Sequence, residues 1–194
     1  MISTATKPQA KRFELPSALN ASRKSIESYA ENAAETLGFE PGGELEAVVR
    51  KVGGRIHYKW ISLNEVCPGW TIPPEIPDFA TEHHSGVILV KGHHDFDIFL
   101  SPYTGELRDR FTVAHELGHY FLHSRQGEVP LAAARLDSER PEWEANWFAA
   151  AFLMPEAKVR EMWKRLGRND FLCAASLLVS MEAFEVRKKS LGLV

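Results

Sequence analysis

The stretch Val113-Ala114-His115-Glu116-Leu117-Gly118-His119 decides how the rest of the chain is read. It carries His-Glu-x-x-His, a pattern that binds zinc when it lies on a helix. At 3.6 residues per turn, His115 and His119 leave one face a turn apart, so both imidazoles can share one metal ion. Glu116 lies about 100° round from His115. It can overhang the metal without ligating it, which is the place for a general base that takes a proton from an attacking water. Val113, Ala114, Leu117, Gly118 and Phe121 project the other way and can lie in a core.

The surrounding chain bounds the possibilities. Its 194 residues are enough for one domain with a sizeable core, and 44% hydrophobic with 25% charged residues is a globular composition. A net charge of −3 argues against binding nucleic acid through bulk positive charge. No apolar run approaches the ~20 residues of a membrane span, and residues 1 to 24 hold no apolar signal core. Cys67 and Cys173 stand far apart with no C-x-x-C, so two free thiols and a cytoplasmic location are expected.

Taken in order, residues 1–19 read as a flexible tail. Asn20 or Ser22 can cap a helix running to Leu37, closed by Gly38. A short helix from Glu44 to Val52 and a strand from Arg55 to Ile61 follow. Residues 64 to 84, rich in Pro, read as an irregular excursion. Ser85 to Val90 and Asp95 to Leu100 make a hairpin. The metal-motif helix ends near His123, and residues 124 to 137 form a connection. A helix from Pro141 to Met154 comes next, then one from Pro155 to Leu166. Two short helices, Asp170 to Leu178 and Met181 to Leu191, close the chain, the last capped by Ser180.

A catalytic zinc takes three protein ligands and keeps a position open. In Pro141-Glu142-Trp143-Glu144-Ala145-Asn146, two carboxylates compete for the third place. Glu142, Asn146, Ala149 and Leu153 share a helical stripe flanked by alanines, whereas Glu144 points nearly the opposite way. Glu142 is therefore the expected third ligand, since a carboxylate on an inward face is costly unless paired or metal-bound. Asn146 is placed to hydrogen-bond a ligand histidine. His123 extends the series but lies ~12 Å along the axis from His115, too far to share its metal. It reads as a hydrogen-bonded histidine near the mouth of the site. Tyr103, Tyr120 and His123 are candidates for a second oxyanion donor, and the strand Asp95 to Leu100 for edge pairing with an extended substrate. Trp143, Trp147 and Phe148 read as core.

Three ordered motifs, Arg110-Phe111-Thr112-Val113-Ala114-His115-Glu116-Leu117-Gly118-His119, Glu142-x-Glu-Ala-Asn146-x-Phe148-Ala149 and Leu153-Met154-Pro155, resemble the ImmA/IrrE family of zinc metallo-endopeptidases. So does the tail, with Leu178-Val179-Ser180, Ala183, Arg187 and Leu191-Gly192. The resemblance implies an α+β, zincin-like domain with a small sheet over residues 20–167, and a C-terminal segment resembling a helix-turn-helix packed on it over 168–194. It implies one catalytic Zn2+ held by His115, His119 and Glu142, with Glu116 as acid/base. It further implies a protein substrate, a helix-turn-helix repressor governing mobile elements or stress-response genes. Neither a separate N-terminal DNA-binding domain nor a long C-terminal sensor domain is expected. The rival reading is a DNA-binding or regulatory protein with a structural zinc, resting on Arg187, Lys188 and Lys189 in the last helix.

Overall fold

The computed structural model describes residues 11–58, 62–76, 86–134 and 140–193. The protein is α+β, with a four-stranded sheet and the longer helices gathered on one of its faces. The first long helix, α1 (Arg23–Leu37), starts where Ser22 accepts the Ser25 amide and stops at Gly38, whose φ of 70° turns the chain left-handed. Helix α2 (Leu45–Lys51) leads into β2 (Gly54–His57). Strand β4 (Gly86–Gly92) and β5 (Asp95–Leu100) form the expected hairpin.

Strand order is β2-β5-β4-β6, with β2 parallel to β5 and the other pairs antiparallel. The edge strand β6 (Leu131–Ala134) lies where the sequence reads only as a connection. It is Leu followed by three alanines, residues of low strand propensity, buried on both faces so that no alternation shows. One sheet face, with Ile88, Val90, Phe96 and Ile98, meets the helices in the main core. The other, with Val87, Leu89 and Phe99, packs on Phe13, Leu63, Cys67 and Ile76 in a smaller core. The irregular excursion contains a short helix, α3 (Leu63–Val66), and strand β3 (Trp70–Thr71); residues 77–84 of it and 59–61 of the expected β2 lie outside the described residues.

The expected tail of residues 1–19 is corrected from residue 11 onward, residues 1–10 lying outside the described residues. Strand β1 (Lys11–Arg12) pairs parallel with β3. Phe13 is fully buried and stacks on Trp70, ring centroids 4.5 Å apart. One buried aromatic in an otherwise polar stretch anchors the segment.

Helix α4 (Glu106–Gly118) continues as a wider π-helical turn over His119–His123, in which the Ser124 amide reaches back to His119. Helix α5 (Arg140–Leu153) lies between α1 and α4, followed by α6 (Glu156–Arg165), α7 (Asp170–Leu177) and α8 (Met181–Ser190). Cys173, Ala174, Leu177 and Phe184 of the last two helices belong to the main core. Arg187, 1% exposed, pairs with Glu27 and Glu31 of α1 and donates to the Met154 carbonyl. Lys188 pairs with Asp170. Two of the three cations on which a DNA-binding reading rests are thus engaged inside the fold.

Candidate metal centre

Helices α4 and α5 bring the predicted residues together. His115 Nε2 and His119 Nε2 lie 3.2 Å apart, and each is 3.1 Å from an oxygen of Glu142. Ligand atoms of all three lie within 4.8 Å of one another, and all three residues are buried. The close approach of the two helices depends on Gly118. A side chain there would have its Cβ 3.1 Å from the Ala145 Cα, so anything larger than glycine would press α5, which carries Glu142, away from the histidines by a few tenths of an ångström.

The protons of these residues show that the group fits a cation. His115 Nδ1 faces the Asn146 side-chain oxygen at 3.0 Å, as the amide is assigned, so this nitrogen carries the hydrogen. The Nε2 atom is then a lone pair aimed at a carboxylate. Among the described residues Glu142 Oε2 is buried and accepts no well-formed hydrogen bond, although His115 Nε2 is close. Lone pairs and an anionic oxygen converging out of solvent repel each other unless a positive ion sits among them. Burial drives His119 down to about 4 despite the neighbouring carboxylate, so the ring is neutral at neutral pH. Burial alone would raise the Glu142 carboxyl, and a cation among these atoms would hold it in its ionised form. Neutral imidazole and ionised carboxylate are the forms that bind metals.

Glu116 is 1% exposed and lies beside the start of β4. A Cβ on Gly86 would come within 3.0 Å of Glu116 Oε1 and 2.4 Å of the Thr112 methyl. Gly86 therefore makes the space in which Glu116 sits, a role that no local sequence signal carries.

Glu144 departs from expectation. It is not among the three converging residues, but neither does it face solvent: its side chain is fully buried, because α5 is covered on both sides. It pairs with Arg140 and with His123 Nε2 at 3.2 Å, and accepts from the Leu19 and Ala21 amides. These partners hold its carboxyl below the ordinary range against the opposing effect of burial. His123 Nδ1 faces His119 Nδ1 at 3.1 Å, so the ring is enclosed between two side chains rather than placed at the mouth. Burial lowers His123 as well, against the pull of Glu144.

Other expectations are corrected. Strand β5 has β2 on one side and β4 on the other, so it has no free edge for a substrate. Tyr120 is buried against Phe96 with its hydroxyl accepting the His94 amide, and His123 is enclosed, so neither is placed as an oxyanion donor. Tyr103 is 72% exposed in the loop before α4. Arg110 donates to the carbonyls of Gly43 and Leu178, tying α4 to two loops.

A His-Glu-x-x-His helix joined by a carboxylate from the next helix, behind a small mixed sheet, defines a zincin-like domain of metallopeptidase type. The chain belongs to the peptidase family described as the IrrE N-terminal-like domain, whose family model matches residues 76–189. No curated protein is significantly similar to it in sequence. Among solved structures, a Mycobacterium tuberculosis transcriptional regulator is similar at 18% identity and a TM-score of 0.49, over 82% of this chain and 45% of the regulator. The chain thus spans less than half the length of that structure. Among the described residues, no helix is long and apolar enough to cross a membrane.

Proposed function

We propose that the protein is a zinc-dependent endopeptidase in which His115, His119 and Glu142 hold one Zn2+ and Glu116 is the general base. The observation that carries this reading is the buried convergence of two imidazole Nε2 atoms and a carboxylate on one point. A bound zinc ion supplies Lewis-acid activation of water and of the scissile carbonyl. Glu116, next in sequence to one ligand and held in the space left by Gly86, takes the proton of the attacking water. It then returns that proton to the leaving amine. Burial of the site excludes bulk water and strengthens each of these electrostatic contacts.

The proposed substrate is a helix-turn-helix repressor, cut at one or a few sites. An open groove of ≈ 780 Å³ runs past Asn146 and is lined by Leu107, Phe111, Trp143, Trp147 and Val186. Its walls, contributed by α4, α5 and α8, mix these apolar side chains with Arg108, Ser180 and Glu182, suit side chains of a folded protein and give selection beyond the metal ion. The test is to load the purified chain with zinc and incubate it with the repressor encoded beside its gene, a generic peptide and unrelated folded proteins. Discrete repressor cleavage, abolished by chelation, is expected. Indiscriminate degradation, or no cleavage of any of them by zinc-loaded protein, would overturn the reading.

A further inference from the structure

We infer that Glu144 and His123 form a positioning relay that fixes the ring of His119 with its proton on Nδ1 and its Nε2 lone pair turned to the metal site. This rests on His115, His119 and Glu142 being that site.

The relay follows from counting donors. Both Glu144 oxygens are acceptors in a buried place: Oε1 takes Arg140 Nε at 3.2 Å and the Ala21 amide at 3.3 Å, and Oε2 takes the Leu19 amide at 2.9 Å. An ionised carboxylate has no proton to give, so His123 Nε2, 3.2 Å from Oε2, must be the donor. His119 Nε2 is the atom that faces Glu142, at 3.1 Å, and the metal site, so the hydrogen compatible with metal binding is on His119 Nδ1, and His123 Nδ1 opposite it must be a lone pair. The two Nδ1 atoms lie 3.1 Å apart. Every N–H in the series points away from the metal site toward Glu144. Asn146 does the same for His115 from the other side. A ligand ring held in one tautomer and one orientation loses less freedom on binding metal.

The backbone is also irregular here. A π-helical turn spans His119–His123, and the two rings stand 4.9 Å apart between centroids, the same separation as His115 and His119 one turn earlier. Such wide turns are rare and recur at functional sites. Through the Leu19 and Ala21 amides, the N-terminal segment becomes part of the support for a metal ligand 98 residues or more away in sequence.

The experiment uses the full chain as wild type, His123→Phe and His123→Asn. Phenylalanine keeps the ring and removes both nitrogens, while asparagine keeps an acceptor near the place of Nδ1. Zinc affinity is measured by competition with a chromophoric chelator, beside thermal unfolding of the metal-free proteins. His123→Phe should weaken zinc by about 10–100-fold, and His123→Asn should recover most of that loss. Equal affinities in all three folded proteins, or equal losses in both variants, overturn the relay. Should His123→Phe fail to fold, nitrogen correlation spectra of the metal-free wild type decide. Hydrogens on His119 Nδ1 and His123 Nε2 support the relay, and the opposite tautomers overturn it. A folded wild type that binds no zinc overturns instead the metal-site reading beneath it.

Discussion

Glu116 and Glu142 are both buried carboxylates, yet their surroundings give them different work. Glu142 reaches both Nε2 atoms, whereas Glu116 stands apart in the space left by Gly86. Replacing Glu116 by Gln should leave zinc content and unfolding temperature near wild type and lower turnover by about 10²–10⁴-fold, because an amide cannot take the proton. Zinc analysis beside a cleavage assay checks this, and retained turnover with bound zinc would remove Glu116 from the chemistry. Gly86→Ala should also keep the metal but push Glu116 aside, with a loss near 10²-fold in turnover. A normal rate in that variant would show that Thr112 and Glu116 yield without cost. For the two acids of α5, chelator competition should rank Glu142→Ala well below Glu144→Ala in zinc affinity, since the first loses a ligand and the second only its support. The reverse order would mean that the ligand was misassigned.

At the level of elements, legibility followed exposure. Helix α1 was readable at both ends because Ser22 and Gly38 act locally, and Ser180 likewise caps α8. The motif helix was readable because the metal face and the core face of α4 differ, and on α5 the carboxylate expected to face inward, Glu142, is the one set beside both histidines. Helix α5 misled over Glu144, since an inward-or-outward argument needs an outward face and α5 lies between two helices. The three-alanine strand β6, the π-helical turn and the role of Gly86 depend on partners remote in sequence, so no local pattern announces them. Arg187 was quoted among the tail motifs and also as a cation for DNA. Its two carboxylates on α1 and the Met154 carbonyl make it a clamp between elements instead. Arg187→Met should therefore destabilise the fold by about 2–3 kcal/mol, below the usual cost of breaking a buried pair because Glu31 retains some access to water. Denaturant unfolding measures this, and a change under about 0.5 kcal/mol would return Arg187 to the class of dispensable surface cations.

For the whole molecule, the last two helices complete the main core, so deleting residues 168–194 would strip Cys173, Ala174, Leu177, Val179 and Phe184 from it and test folding rather than recognition. Substrate selection is better tested on the exposed side chains of the same helices, Phe171, Leu172 and Val186, which carry no core contact to lose. The metal centre also sets how the metal-free protein responds to acid. His119 is neutral in the fold down to about 4 but takes a proton near 6.5 when unfolded, so the unfolded chain binds more protons between those values. Stability from this group is complete above its unfolded value and is lost as pH falls. Asp97, held very low by Arg55, His57 and Lys91, acts in the same direction at lower pH. Unfolding temperatures of chelator-treated protein should thus fall steadily from about pH 6.5 downward, with His119 alone of these two groups acting above about pH 5. Zinc should raise the midpoint at neutral pH and lose that effect only as pH falls toward about 4, where protons begin to compete with metal for the folded His119 Nε2. A midpoint flat from about pH 7 to 5 in the metal-free protein would show that His119 is as free to protonate in the fold as outside it, and that the centre is open to water.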